Sequence, residues 1–284
     1  MRHPILISLC AAGAFALSAC EQTAGNEVDR AFQDINVIDE TNLNDVMLTA
    51  SDPNEAVSYF QRAVGEKPDR LDLQRGLASS LVRAKRNTEA VAAWANVTKH
   101  EDATHADHVN HADALIRNND WERAADVLDG VPPTHETFKR YRLEAMIADS
   151  EKDWKKADSF YETAVGLTTQ PANVMNNWGY SKLSRGDLKG AERLFTDAVR
   201  QDPSLFTAKN NLVLARGAQR NYALPVLPVT QVERAQLLYT LGLSAVKQGD
   251  TTIGQGLLKD AVETHPQHFE EAVRSLRALE NRSG

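Results

Sequence analysis

His105, His108 and His111 recur at three-residue spacing, with His100 just upstream. On a helix, residues three apart share a face, which is the arrangement a bound metal requires of imidazole ligands. No carboxylate pair, nucleophile beside a base or glycine-rich phosphate loop accompanies them. The chain is therefore not expected to be an enzyme, and no cofactor is implied. A second set of residues is built from amides: Asn42, Asn110, Asn177 and Asn211, with Asn176 and Asn210 adjoining the last two. An amide offers both donors and an acceptor, so a row of them can hydrogen-bond an extended backbone without reading its sequence. The third feature is Cys20, which with Cys10 makes up the cysteine content of the chain.

What these residues do depends on the elements that carry them. Windows starting at Val37, Leu71, His105, Phe138, Ala172, Phe206 and Ala235 align at spacings of 34, 34, 33, 34, 34 and 29. Position 8 is small in five of them: Ala78, Ala112, Ala145, Gly179 and Gly242. Position 20 begins Ala56, Ala90, Ala124, Ala157 and Ala191, and position 24 is large, as Phe60, Trp94, Leu128, Tyr161, Phe195 and Leu258. Small residues let paired helices approach to about 8–10 Å, and the large residue fills the space between them. Gly186 and Gly249 at position 15 suit the left-handed residue that ends a helix. Aspartates at position 16 (Asp52, Asp120, Asp153, Asp187, Asp250) suit the N-cap of the next helix.

Departures from the pattern divide the chain. In the third window Gly130, Pro132 and Pro133 shorten the second helix. In the sixth, Tyr222 to Pro228 carries prolines that a helix does not continue through. The expected organisation is a leader over 1–19, a tether over 20–36 and an array of five repeats and a half over 37–221. A proline-containing linker over 222–234 then leads to a last repeat with a capping helix over 235–284. Phe269, Ala272, Val273, Leu276 and Leu279 mark the apolar face of that cap.

Charge and the N-terminus narrow the function classes. The chain has 284 residues, 42% hydrophobic, with 32 basic and 39 acidic side chains for a net charge of −7. Without a leader whose charge is Arg2 alone, the balance is −8. No Lys/Arg cluster suited to displacing counterions is present, so nucleic acid is not an expected partner. The apolar run Ile5–Leu17 would rise roughly 20 Å as a helix, short of a bilayer core of about 30 Å. It reads as a leader that is removed. The ending Leu17-Ser18-Ala19-Cys20 resembles the bacterial lipobox, which implies acylation of Cys20 and a membrane contact by lipid anchor on the periplasmic side. Glu21, where an inner-membrane retention signal would place aspartate, points to the outer membrane.

The repeat pattern itself resembles the tetratricopeptide repeat, over residues 37 to about 268, and implies an all-α superhelical solenoid of helix-turn-helix repeats. In that family the first helices line a concave, peptide-binding face through positions 2, 5, 6 and 9. On this chain those positions include Asn42, Asn110, Asn176, Asn177, Asn210 and Asn211, with Tyr180 and Leu214 at position 9 to hold apolar side chains. Packing between helices is the competing role for the position-6 asparagines. His108 and His111 fall at positions 4 and 7, which face the helix partner, so packing is expected there and no metal site. Arg142 and Asn177 fit two parts of a carboxylate clamp, but Thr207 and Asn211 stand where its last basic residues belong. Arg75, Arg83, Lys139 and Arg142 would favour an acidic stretch in a partner.

The segments Leu227–Leu241 and His265–Arg277 resemble the tetratricopeptide lipoproteins of Flp (Tad) pilus assembly, the TadD family. That resemblance implies a pilotin-like accessory whose partner is a secretin or another component of the Tad machinery. A lipoprotein of another envelope complex, such as type IV pilus or outer-membrane protein assembly, and a periplasmic metal binder built on the histidines are the alternatives.

Overall fold

A computed structural model describes residues 43–283. Asn42, Cys20, the leader and the tether lie outside the described residues. The described chain is helical: α1 (43–49), α2 (Pro53–Glu66), α3 (Leu71–Arg83), α4 (Asn87–Val97), α5 (His105–Arg117), α6 (Trp121–Asp129) and α7 (Phe138–Ser150). There follow α8 (Trp154–Gly166), α9 (Ala172–Ser184), α10 (Leu188–Gln201), α11 (Phe206–Ala218), α12 (Gln231–Lys247), α13 (Thr251–Thr264) and α14 (Glu270–Ser283). They fall into two compact units divided between Asn119 and Asp120.

The helix starts follow the repeat register. α3, α5, α7, α9 and α11 begin on the first residue of their windows, and the second helices begin at position 17. Between them, position 15 is left-handed in six windows: Lys85, Asn119, Lys152 and Arg220 at φ 58–62°, and Gly186 and Gly249 at φ 85°. The next residue's N–H reaches back to a carbonyl of the last turn, as in Asp153 N–H to Ala148 (2.9 Å) and Asp187 N–H to Lys182 (2.9 Å). This closes the helix by a Schellman motif. The turn therefore imposes its backbone even where the residue is not glycine.

The position-16 aspartates do not all act as caps. Asp52, Asp153 and Asp187 accept backbone N–H groups of the following turn. Asp120 instead pairs with Arg123, and Asp250 accepts from Arg220 and Tyr222. A carboxylate offered a guanidinium or phenol at 2.6–3.0 Å gains a stronger bond than a backbone amide gives it.

In the unit of residues 1–119, Phe60, Leu73, Leu81, Trp94 and Leu115 are buried between α2, α3, α4 and α5. Arg83 ties α1 to this unit by donating to the carbonyls of Met47, Leu48 and Ser51. In the unit of residues 120–284, the position-8 glycines meet position 24 as the spacing requires. A Cβ on Gly179 would lie 2.7 Å from the Phe195 ring, and one on Gly242 2.9 Å from Leu258.

The segment between α11 and α12 substitutes for a missing helix. Leu227 packs against three groups of core residues from α10, α11 and α12, with Leu224 and Val229 beside it, while Val226 projects fully into solvent. Lys209, 2% exposed, donates to the Pro228 carbonyl at 2.7 Å and to Glu233. Of the expected linker over 222–234, residues 231–234 lie in α12. The Thr230 hydroxyl and Glu233 carboxylate form a capping box that starts α12 at Gln231. α14 covers α13 and buries Ala272 against Leu238 and Ala261, the closure a repeat array requires at its end.

Candidate peptide-binding cleft

Within residues 120–284, five helices line a cleft of about 550 Å³. α9 supplies Asn176, Asn177, Tyr180, Ser181 and Ser184, whose spacing of three and four puts them along one face. α7 contributes Met146, Asp149 and Ser150, and α11 contributes Thr207 and Asn211. Trp121 at the first residue of α6, and Trp154 and Tyr161 of α8, add aromatic walls. Tyr180 is 59% exposed, a large ring left open to solvent.

Asp149 sits in this cleft with both carboxylate oxygens engaged. The Ser181 hydroxyl donates to one at 2.6 Å and the Tyr161 hydroxyl to the other at 2.9 Å. Burial raises its pKa above the usual carboxylate value, against the lowering effect of the two hydrogen bonds. Burial and then the Asp149 charge push the Tyr161 phenol upward, keeping it a donor. Behind the cleft, Trp178 stacks on Tyr161 at 6.2 Å and donates to Asp158 at 2.5 Å. Burial opposes ionisation of Asp158, but Trp178 and Arg185 outweigh it and hold this carboxyl below its ordinary value. Arg185 also donates to the Trp154 carbonyl and lies 5.6 Å over that indole, fixing its ring.

The asparagines are partly occupied with one another. Asn211 donates to the Asn176 side-chain oxygen at 3.0 Å, and Asn210 accepts from the Thr240 hydroxyl at 2.7 Å. Asn177 lies 3.8 Å from the Met146 sulfur. These bonds knit the first helices together and still leave amide donors and acceptors toward the cleft. Leu214 is half-buried on α11. Arg142 shares a second cleft, of about 410 Å³, with Phe138, Thr168 and Asn177.

Other candidate residues lie elsewhere. Asn110 is half-buried on α5, in the unit of residues 1–119. There Arg75 grips Asp107 through two bonds of 2.8 and 2.7 Å and also donates to the Asp102 carbonyl. Burial disfavours the Asp107 charge, but Arg75 and the Thr104 hydrogen bonds hold its pKa below normal. Arg75 and Arg83 thus direct their donors to the chain itself. His105 is exposed, His108 half-buried and His111 buried. Among the described residues no three His, Cys, Asp or Glu side chains are grouped to hold a metal ion.

Trp121, Trp154, Met146 and Asp149 were not singled out by the sequence reading. A signal for Met146 was present, because it occupies position 9 of its window, as Tyr180 and Leu214 do. The two tryptophans both occupy position 17, the first residue of a second helix.

Comparison with known proteins places this geometry in a fold. Residues 46–106 match the tetratricopeptide repeat family. None of the curated protein sequences matches the chain. The Cut9 and Hcn1 hetero-tetramer of the APC/C contains a similar structure: TM-score 0.60, 12% identity, 83% of this chain and 48% of that one. This chain therefore spans about half the length of that relative. A tetratricopeptide repeat protein from Parabacteroides merdae gives TM-score 0.53 at 13% identity, over 81% of this chain and 93% of that one. One from Thermus thermophilus gives 0.54 at 15% identity, over 61% and 95%. The repeat register, the all-helical described residues and these neighbours agree: the fold is the all-α tetratricopeptide-repeat solenoid.

Proposed function

We propose that this chain is a lipid-anchored periplasmic scaffold for protein–protein interactions in Flp (Tad) pilus assembly. Its role is that of a pilotin-like accessory that helps a secretin reach or assemble in the outer membrane. The observation that carries the binding role is the open cleft, where aromatic rings, amides and hydroxyls from five helices converge. Such a surface offers apolar contact area together with donors and acceptors for a backbone. The Tad assignment rests on the resemblance of Leu227–Leu241 and His265–Arg277, and the anchor on the lipobox ending at Cys20.

The test is the double variant Asn177→Ala, Asn211→Ala in cells that make the secretin. Each hydrogen bond lost to a bound backbone is worth about 0.5–1.5 kcal/mol, so the pair weakens binding about 5- to 150-fold. The variant should be exported and folded, yet secretin multimers in the outer membrane should fall. Multimers at parental levels, with the variant present in normal amount, would refute the cleft as the working surface.

A further inference from the structure

We infer that the cleft between α7, α8 and α9 selects a cationic side chain, a lysine or arginine of the partner segment. The inference rests on the reading of this cleft as a binding site and adds the chemistry of its occupant. The lining contains a carboxylate, Asp149, and no lysine or arginine. Around it stand the rings of Trp121, Trp154 and Tyr180, with the Met146 thioether, and the remaining lining is amides and hydroxyls.

Each class of occupant can be weighed against that lining. An anion entering here meets Asp149 with no cation in the lining to compensate. A purely apolar side chain covers a carboxylate already partly removed from water, and desolvating that charge is costly. A lysine or arginine satisfies both halves of the site. Its methylenes cover the rings, and its charged head is drawn to aromatic faces and to the carboxylate. Asp149 has capacity for this, because a carboxylate presents about four lone-pair sites and Ser181 and Tyr161 take two. Those two bonds also fix the carboxylate in place, so a cation meets a preorganised acceptor. Two basic groups beside the site are occupied, Arg185 pairing with Asp158 at 2.5 Å and Lys182 lying 3.4 Å from the same carboxylate, while Arg142, whose charge also reaches Tyr161, lines the neighbouring cleft.

The experiment titrates full-length protein in detergent with four capped pentapeptides, identical except for a central lysine, arginine, norleucine or glutamate. Binding is followed by calorimetry and by tryptophan fluorescence, since Trp121 and Trp154 line the cleft. The lysine and arginine peptides should saturate, and the norleucine and glutamate peptides should bind at least about tenfold more weakly. Asp149→Asn should cost the basic peptides about tenfold or more, and Tyr180→Leu about two- to fivefold. Tyr180 is exposed, so its replacement keeps the test valid if the Asp149 variant folds poorly. Norleucine or glutamate binding as tightly as lysine would overturn the cation assignment and leave the cleft a binding site. A response to none of the four would overturn both.

Discussion

Gly179 and Gly256 are both helical glycines in the unit of residues 120–284, yet alanine should stabilise at Gly256 and not at Gly179. Alanine in a helix interior is favoured over glycine by about 0.8–1.0 kcal/mol. At Gly256, exposed on α13, a Cβ meets nothing within 4 Å, so Gly256→Ala should keep most of that gain. At Gly179 the new Cβ would fall 2.7, 2.8 and 3.1 Å from three atoms of the Phe195 ring. Phe195 is fully buried, so its ring can move only by displacing packed neighbours. Overpacking of this sort costs about 1–3 kcal/mol, enough to cancel or exceed the propensity gain. The two variants should thus differ by about 1–3 kcal/mol, or several degrees in melting temperature. Urea and thermal melts by circular dichroism measure this. A Gly179→Ala, Phe195→Leu pair should recover part of the loss, a coupling that a double-mutant cycle isolates. Equal stabilisation by alanine at both sites would show that position 8 does not meet position 24, and the packing scheme would fail.

Four further outcomes follow from the geometry. Lys152→Gly relieves a left-handed residue at φ 62° and should stabilise by up to about 1 kcal/mol in the same melts; a destabilised variant would contradict the turn. Lys209→Met removes the donor to Pro228 and Glu233 and should cost about 1–3 kcal/mol, whereas Val226→Ser, at a fully exposed position, should be neutral; equal melting of the two would show that the segment between α11 and α12 is not held by Lys209. Asp149 has a raised folded pKa from burial, opposed by the Ser181 and Tyr161 hydrogen bonds and then by Arg185, with Asp158 adding to the rise, so its protonated form favours folding. The stability of the parent relative to Asp149→Asn should therefore be greatest below the ordinary value of 3.8 and decline as pH rises through the raised one; a difference that grows with pH would contradict the burial. Cys20→Ala should leave the protein extractable from membranes by high-salt washing; retention would refute lipid anchoring.

The backbone plan was readable from spacing because each repeat position has one physical task. Helices begin at positions 1 and 17, the small residues that let them pack recur at positions 8 and 20, and the left-handed turn at position 15 shows itself as Gly186 and Gly249. At Lys85, Lys152 and Arg220 the same turn was hidden, because the bonds to the preceding helix impose a conformation that the residue type does not advertise. The cleft was read in part. Asn176, Asn177, Tyr180 and Asn211 line it together, since they share one helix face or its neighbour. Asp149 and the two tryptophans were hidden because they lie outside the positions assigned to the groove and gain meaning only when α6, α7 and α8 fold beside α9. The partners of Arg75 and Arg83 were hidden for a related reason. Sequence shows their charge, but not that Asp107 and the end of α1 absorb it.

The central claim is that a secretin or another Tad component occupies the cleft. A photo-reactive phenylalanine in place of Tyr180, which is exposed and lines the cleft, tests it in intact cells, with the same group at Gly256 as a remote control. After irradiation and detergent solubilisation, the adduct at position 180 should contain the secretin or a Tad component, through a segment bearing lysine or arginine, and position 256 should give none. An empty result at position 180 with secretin assembly intact, or equal adducts from both positions, would contradict the account.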